Sequence, residues 1–247
     1  LASGTRNLFP VPFAGAYLAL MLVALLAMVC MAGVHFESLP APAPGAAAPP
    51  AGRPVSALLR QPAFAVAMLG AALGYGVMNL LMAATPLAMQ VCGFGFDSAA
   101  LVLEWHVIGM FAPGFFTGHL IKRMGTLPVM LLGVLLNLAC VGIALSGQEI
   151  AHFTAALFLL GVGWNFLFTG STTLAITAYR PEEKDRAQGA INFFVFATMA
   201  GTSLASGALV TTSGWNWLNL ASLPPLLLTG GALLWLMARQ RGVPQPG

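Results

Sequence analysis

Seven long apolar stretches constrain this chain more than any other feature of its sequence. Each is about 20 residues long, which is the length that an α-helix needs to cross a hydrocarbon core about 30 Å thick. Only the third contains an acidic or basic residue, Glu104. The sequence therefore predicts an all-α membrane protein, surrounded by membrane lipid, with seven transmembrane helices. They cover residues 13–34, 63–89, 99–121, 127–146, 153–177, 190–210 and 217–238.

The composition also favours lipid as the solvent. Charged residues make up 7% of the 247 residues and hydrophobic residues make up 58%. A soluble domain typically contains about 25% charged residues. The net charge is +3, but the basic residues are scattered between apolar stretches rather than clustered on one surface. This distribution argues against a nucleic-acid partner.

The connections between the stretches divide the chain into four parts. We expect an external segment with one transmembrane helix at 1–34, a cytoplasmic linker at 35–62, a six-helix unit at 63–238 and a cytoplasmic tail at 239–247. The linker is rich in proline and alanine, so an extended, weakly structured segment is predicted. The other loops are short, and short loops make neighbouring helices antiparallel.

The basic residues lie almost entirely on one side of the predicted helices. Nine of the ten fall on that side, and Arg6 alone falls on the other. Basic loops are retained in the cytoplasm, so the N-terminus of this chain is predicted to lie outside and the C-terminus inside. The nine are Arg53, Arg60, Lys122, Arg123, Arg180, Lys184, Arg186, Arg239 and Arg241.

A short motif joins the third and fourth stretches. The segment 118–126 resembles the signature Gly-x-x-x-Asp-Arg-x-Gly-Arg of the major facilitator superfamily (MFS), with Gly118, Arg123 and Gly125 at matching positions. Lys122 replaces the acidic residue and Thr126 replaces the last basic one. In that family the acidic residue belongs to a charge network on the cytoplasmic side, a role that Lys122 cannot take.

Two further segments resemble the same family. Residues 180–189 are similar to the basic and acidic loop before the fifth helix of a six-helix half, and 35–62 is similar to the central cytoplasmic loop. The resemblance implies the last helix of an N-terminal half followed by an MFS-type half-bundle. It implies secondary transport of a small organic solute across the plasma (inner) membrane by alternating access. The remainder of an N-terminal half would then be a necessary partner.

Polar and aromatic residues near the middle of two helices are candidates for the substrate cavity. Tyr75 and Asn79 lie one turn apart on one face of the second stretch, and Trp164 and Asn165 lie midway along the fifth. By resemblance, the first and fourth helices of a half line the cavity, and these are those helices. The alternative for both asparagines is hydrogen bonding between helices.

Glu104 and His106 are candidates for coupling transport to protons. An ionisable group within a span is costly unless it is paired or hydrated, so Glu104 is a functional candidate. His106, two residues later, points to a different face. The alternative is that Glu104 reaches the membrane interface or a water-filled vestibule.

Other classes of protein lack support in the sequence. There is no phosphate-binding Gly-x-x-x-x-Gly-Lys-Ser/Thr loop, and the four histidines are dispersed without zinc-ligand spacing, so neither an enzyme nor a cofactor is predicted. The main alternative is a seven-helix receptor or light-driven pump. A retinal pump needs a lysine in its last span, whereas both lysines lie in predicted loops.

Thiol labelling tests the predicted orientation. In a cysteine-free background, Arg123→Cys and Arg186→Cys are expected to react with an impermeant reagent only from the cytoplasmic side, since both positions lie in basic loops. Gln148→Cys, between the fourth and fifth spans, serves as the control and should react only from outside. Labelling of positions 123 and 186 from opposite sides would contradict the seven-helix topology.

Overall fold

The computed structural model describes residues 2–5, 8–11, 13–35 and 52–241. The chain forms two units, residues 1–49 and 50–247. In the first unit, α1 (Ala2–Thr5) precedes α2 (Ala14–Ala32), an apolar helix in which Gly15 is the buried residue. Arg6, residues 36–51 of the predicted linker and residues 242–247 of the predicted tail lie outside the described residues.

The second unit consists of helices joined by short turns. A 3₁₀ turn, Pro181–Glu183, precedes α9. The α-helices are α3 (Val55–Leu59), α4 (Pro62–Val91), α5 (Phe96–Phe111), α6 (Gly114–Met124), α7 (Thr126–Ser146), α8 (Ile150–Ile176), α9 (Lys184–Thr212), α10 (Gly214–Ala221) and α11 (Leu223–Arg241).

The apolar helices agree with the predicted spans. Among the described residues, six segments are long and apolar enough to cross a membrane, and the bent pair α5–α6 makes seven if it is one span. The described residues contain no β-strand. The prediction of an all-α membrane protein with seven apolar spans is therefore confirmed.

The third span differs from the continuous helix predicted over 99–121. Helix α5 ends at Phe111, α6 begins at Gly114, and the two helices are bent by 42°. Pro113 lies at the break. Proline lacks the N–H of a helical hydrogen bond and its ring crowds the preceding turn, so the helix is interrupted here.

The end of the predicted linker also differs from an extended segment. Residues 55–59 form α3, and Leu58 is fully buried. Helix α4 then begins at Pro62, and proline suits a first helical turn because its missing N–H has no intrahelical partner there. Residues 52–61 therefore belong structurally to the helical unit.

Helix α8 packs against α4, α5 and α7. Its closest approaches depend on glycine. A Cβ on Gly161 would lie 2.5 Å from the carbonyl oxygen of His106 on α5, and a Cβ on Gly133 of α7 would lie 2.7 Å from the carbonyl oxygen of Gly163. Small residues let helix backbones approach each other closely in membrane proteins. This packing fixes where α8 presents its side chains.

Candidate substrate site

An aromatic cluster joins α4, α5 and α8 and is defined by Tyr75, Phe111, Trp164 and Phe168. Trp164 and Phe168 lie one turn apart on the same face of α8, with ring planes 9° apart and centroids separated by 5.2 Å. Tyr75 meets both rings edge-on, at 5.3 and 5.5 Å. Phe111 meets Trp164 edge-on at 6.5 Å. The structure thus brings the predicted residues Tyr75 and Trp164 into contact.

The cluster offers both buried and accessible aromatic surface. Trp164 is 7% exposed, whereas Phe111 is 64% exposed. Within the described residues, the indole N–H of Trp164 has no hydrogen-bond acceptor. Phe111 and Phe168 were not identified from the sequence. The position of Phe168 four residues after Trp164 was the available signal, because residues at this spacing share a helix face.

Asn79 connects α4 to α9. Its Nδ2 lies 3.2 Å from the carbonyl oxygen of Met199, 3.0 Å from Oγ1 of Thr202 and 2.9 Å from Oγ of Ser203. The residue is 6% exposed. The amide hydrogens of Asn79 are thus donated to groups on a neighbouring helix. This supports the alternative to a substrate-cavity role, namely hydrogen bonding between helices.

Asn165 spans the break between α5 and α6. Its Nδ2 donates to the carbonyl oxygen of Met110 at 2.7 Å, and its Oδ1 lies 2.7 Å from Oγ1 of Thr117. Carbonyls in the last turn of a helix have no intrahelical donor, so the amide satisfies a group that the break at Pro113 exposes. The side chain of Asn165 therefore stabilises the bent third span.

Glu104 and His106 lie on different faces of α5, as predicted. His106 is fully buried, and its Nδ1 lies 2.8 Å from the carbonyl oxygen of Leu157. Since a carbonyl can only accept, Nδ1 carries the hydrogen. Glu104 is exposed on this unit. It lies seven residues before Phe111, so the two share a helix face and are separated by about 10 Å along the axis.

The signature loop separates α6 from α7. Gly125 has φ +88°, a conformation that favours glycine. The backbone conformation of the turn therefore explains why this signature position is glycine. Lys122 and Arg123 are exposed in the last turn of α6, where positive charge is favourable to the helix dipole. A Cβ on Gly118 would meet no atom within 4 Å. The structure therefore gives no steric reason for glycine at that position.

A stability measurement separates the two interpretations of Asn165. Asn165→Ala is expected to lower the free energy of unfolding by about 1–3 kcal/mol, because the carbonyl of Met110 is left buried without a donor. Thermal unfolding in detergent gives the comparison, with Asn192→Ala at an exposed position of α9 as the control. Equal stability of the two variants would mean that the Asn165 amide is not a structural tie.

The sequence matches a known family over nearly its whole length. The profile of the Major Facilitator Superfamily aligns with residues 7–197 and, in a second overlapping match, with residues 105–247. Both matches include the break at Pro113 and the signature loop, and the first includes the whole bent third span. The earlier resemblance rested on short segments, whereas these alignments extend across the helices themselves.

Individual relatives are transporters by name. The chain is 41% identical over 177 residues to the riboflavin transporter RfnT of Brucella anthropi, covering 72% of this chain and 44% of that protein. It is 29% identical over 165 residues to the uncharacterised MFS-type transporter YddS of Bacillus subtilis, covering 66% and 38%. The chain thus spans less than half the length of these relatives. Its profile matches and relatives together place it in the Major Facilitator Superfamily, a family of multi-pass membrane transporters.

Proposed function

We propose that this chain is part of a secondary active transporter that moves a small planar organic solute by alternating access. The observation that carries the proposal is the aromatic cluster on the helices expected to line the cavity. Membership of a transporter family supports transport over the alternative of a seven-helix receptor or pump. Substrates of such transporters typically bind near the bilayer midplane between structural repeats.

The proposed transporter has two six-helix halves. Residues 62–241 supply six spans, namely α4, the α5–α6 pair, α7, α8, α9 and the α10–α11 pair, and we assign them to the C-terminal half. Helix α2 is assigned to the end of the N-terminal half, with the linker between them. The remainder of the N-terminal half would complete the cavity wall, which is consistent with the chain spanning 44% of RfnT.

Riboflavin is the first substrate to test. A relative 41% identical to this chain is named as a riboflavin transporter. The riboflavin ring system is planar and aromatic and carries carbonyl and ring-nitrogen acceptors. Offset-stacked and edge-to-face contacts are the favoured arrangements for aromatic rings, and Phe168, Tyr75 and Phe111 present such surfaces beside Trp164.

The orientation and energy source complete the proposal. Lys122, Arg123 and the basic residues of the α8–α9 turn would face the cytoplasm of a plasma (inner) membrane. With no nucleotide-binding motif in the sequence, an ion gradient would drive transport. Glu104 is the proposed coupling carboxylate because it shares a face of α5 with Phe111, two turns from the aromatic cluster.

Substrate recognition can be tested with the full-length protein in proteoliposomes. Phe168→Leu keeps an apolar side chain but removes the aromatic face, and an aromatic pair contributes about 0.5–1.5 kcal/mol beyond its buried area. The KM for riboflavin uptake should therefore rise about 2- to 10-fold, with kcat little changed. Phe158→Leu is the control, since Phe158 lies on the same helix but contacts Trp105 instead. An equal KM for the two variants would exclude stacking at Phe168, and absent riboflavin uptake by the unmodified protein would exclude this substrate.

Proton coupling can be tested separately at Glu104. If its protonation is linked to substrate movement, Glu104→Gln should abolish or flatten the pH dependence of uptake, because glutamine cannot release a proton. The measurement is the initial uptake rate across a pH series. Asp97→Asn, which neutralises the acid in the first turn of the same helix, is the control. An unchanged pH profile in Glu104→Gln would remove Glu104 from the coupling mechanism.

A further inference from the structure

A buried carboxylate lies in the turn between α8 and α9, outside the aromatic cluster. It belongs to Glu183, whose side chain has 0% relative exposure. Burying a carboxylate is costly unless its oxygens are hydrogen-bonded and its charge is paired. The surroundings of Glu183 meet both conditions, and they connect this turn to a segment 130 residues earlier in the chain.

Arg53 supplies most of the partners. Its Nε donates to Oε1 of Glu183 and its Nη2 to Oε2, each at 2.7 Å, which is the two-pronged geometry of a strong charge-assisted pair. The backbone N–H of Arg53 donates to Oε1 at 2.8 Å, and that of Arg180 donates to Oε2 at 2.9 Å. The hydrogen bond to Glu183 also raises the pKa of Arg53 above its ordinary value.

Further contacts hold the backbone of the same segment. Arg186 donates from Nη1 to the carbonyl oxygens of Gly52 and Arg53, at 2.8 and 2.9 Å. Arg53 reaches the carbonyl oxygen of Ala178, just after α8, at 3.2 Å. A Cβ on Gly52 would lie 2.8 Å from Cγ of Glu183. We call this set the linker clasp: Gly52, Arg53, Arg180, Glu183 and Arg186.

The clasp lies where the proposed linker enters the six-helix unit. With it closed, the linker is attached at Arg53; with it open, the next long element is α4, which begins at Pro62. Opening would move the point of attachment by nine residues, from about 18 to about 27 residues after His35, and a change of this size in linker length alters the effective concentration of the other half by less than about twofold. Opening the clasp therefore matters little through the length of the linker. Its main consequence is that the linker is attached to a different part of the six-helix unit.

We infer that Arg53 and Glu183 are positioning residues that anchor the linker between the two halves. The pair attaches the linker to the α8–α9 turn rather than to the start of α4. When the halves move, force along the linker then acts on the α8–α9 turn. Helix α3 and the first turn of α4 are protected from being pulled away. This inference rests on the proposed function, because it requires the linker to join two moving halves.

Variants of the full-length protein test the inference. Glu183→Gln should raise amide exchange at Arg53 by about tenfold or more, since a hydrogen bond to a charged group is worth at least that factor in an opening equilibrium. Turnover per folded molecule should fall while the KM stays unchanged. Arg53→Lys keeps the charge but loses the two-pronged geometry, so an intermediate effect is expected. Glu182→Gln is the matched control, because Glu182 is exposed beside the buried Glu183.

Cutting the linker distinguishes an anchor from a local structural tie. If the halves are produced as two chains divided between residues 36 and 51, no linker force reaches the clasp, and Glu183→Gln should no longer reduce turnover. An equal loss in the divided and undivided proteins would overturn the inference. If neither form transports any solute, the proposed function fails. Amide exchange still tests the clasp in that case, because unchanged protection at residues 52–60 in Glu183→Gln would overturn the inference.

Discussion

Helix α8 can contact three neighbouring helices because glycines remove side chains from the contact surfaces. Lipid is as apolar as leucine, so the association of helices in a membrane depends on close packing and on hydrogen bonds between helices. Gly161 and Gly133 allow backbone contacts with α5 and α7, and Gly74 accommodates Leu167. A Cβ at any of these positions would lie within 2.7 Å of an atom of another helix. The positions of Trp164 and Phe168 beside Tyr75 follow from this packing.

Two asparagines within the spans connect neighbouring helices. Asn79 connects α4 to α9, while Asn165 and Thr117 connect α8 to the broken third span. A hydrogen bond of this kind contributes about 0.6–2 kcal/mol, and an unpaired buried amide would cost more. Amide groups engaged in this way are poorly placed to bind a solute as well. This distribution favours the aromatic cluster, with Glu104 on the same side of α5, as the chemistry available to a substrate.

The sequence predicted those features that depend on local pattern. Apolar length located the spans, and the family resemblance assigned the helices of Tyr75 and Trp164 to the wall of one cavity. The division of the third span was less accessible, because a proline within a transmembrane helix can be tolerated, bent or broken according to what satisfies the freed backbone groups. Here the freed group is the carbonyl of Met110, and the side-chain amide of Asn165, 55 residues later, donates to it. The pairing of Arg53 with Glu183 across 130 residues had no local signal at all.

Charged residues near the α8–α9 turn and the signature loop have two different environments. Lys122 and Arg123 are exposed, and exposed charges at a helix end contribute little to stability while they do bias topology. Glu183 and Arg53 form a partly buried pair with two added backbone donors. Such a pair is weak evidence for stability, because the cost of removing charges from water offsets much of the attraction. The Arg53–Glu183 pair requires a particular geometry, however. An apolar contact at this position would let the segment shift along the α8–α9 turn. The pair is therefore better explained by a need for a fixed attachment than by a need for stability.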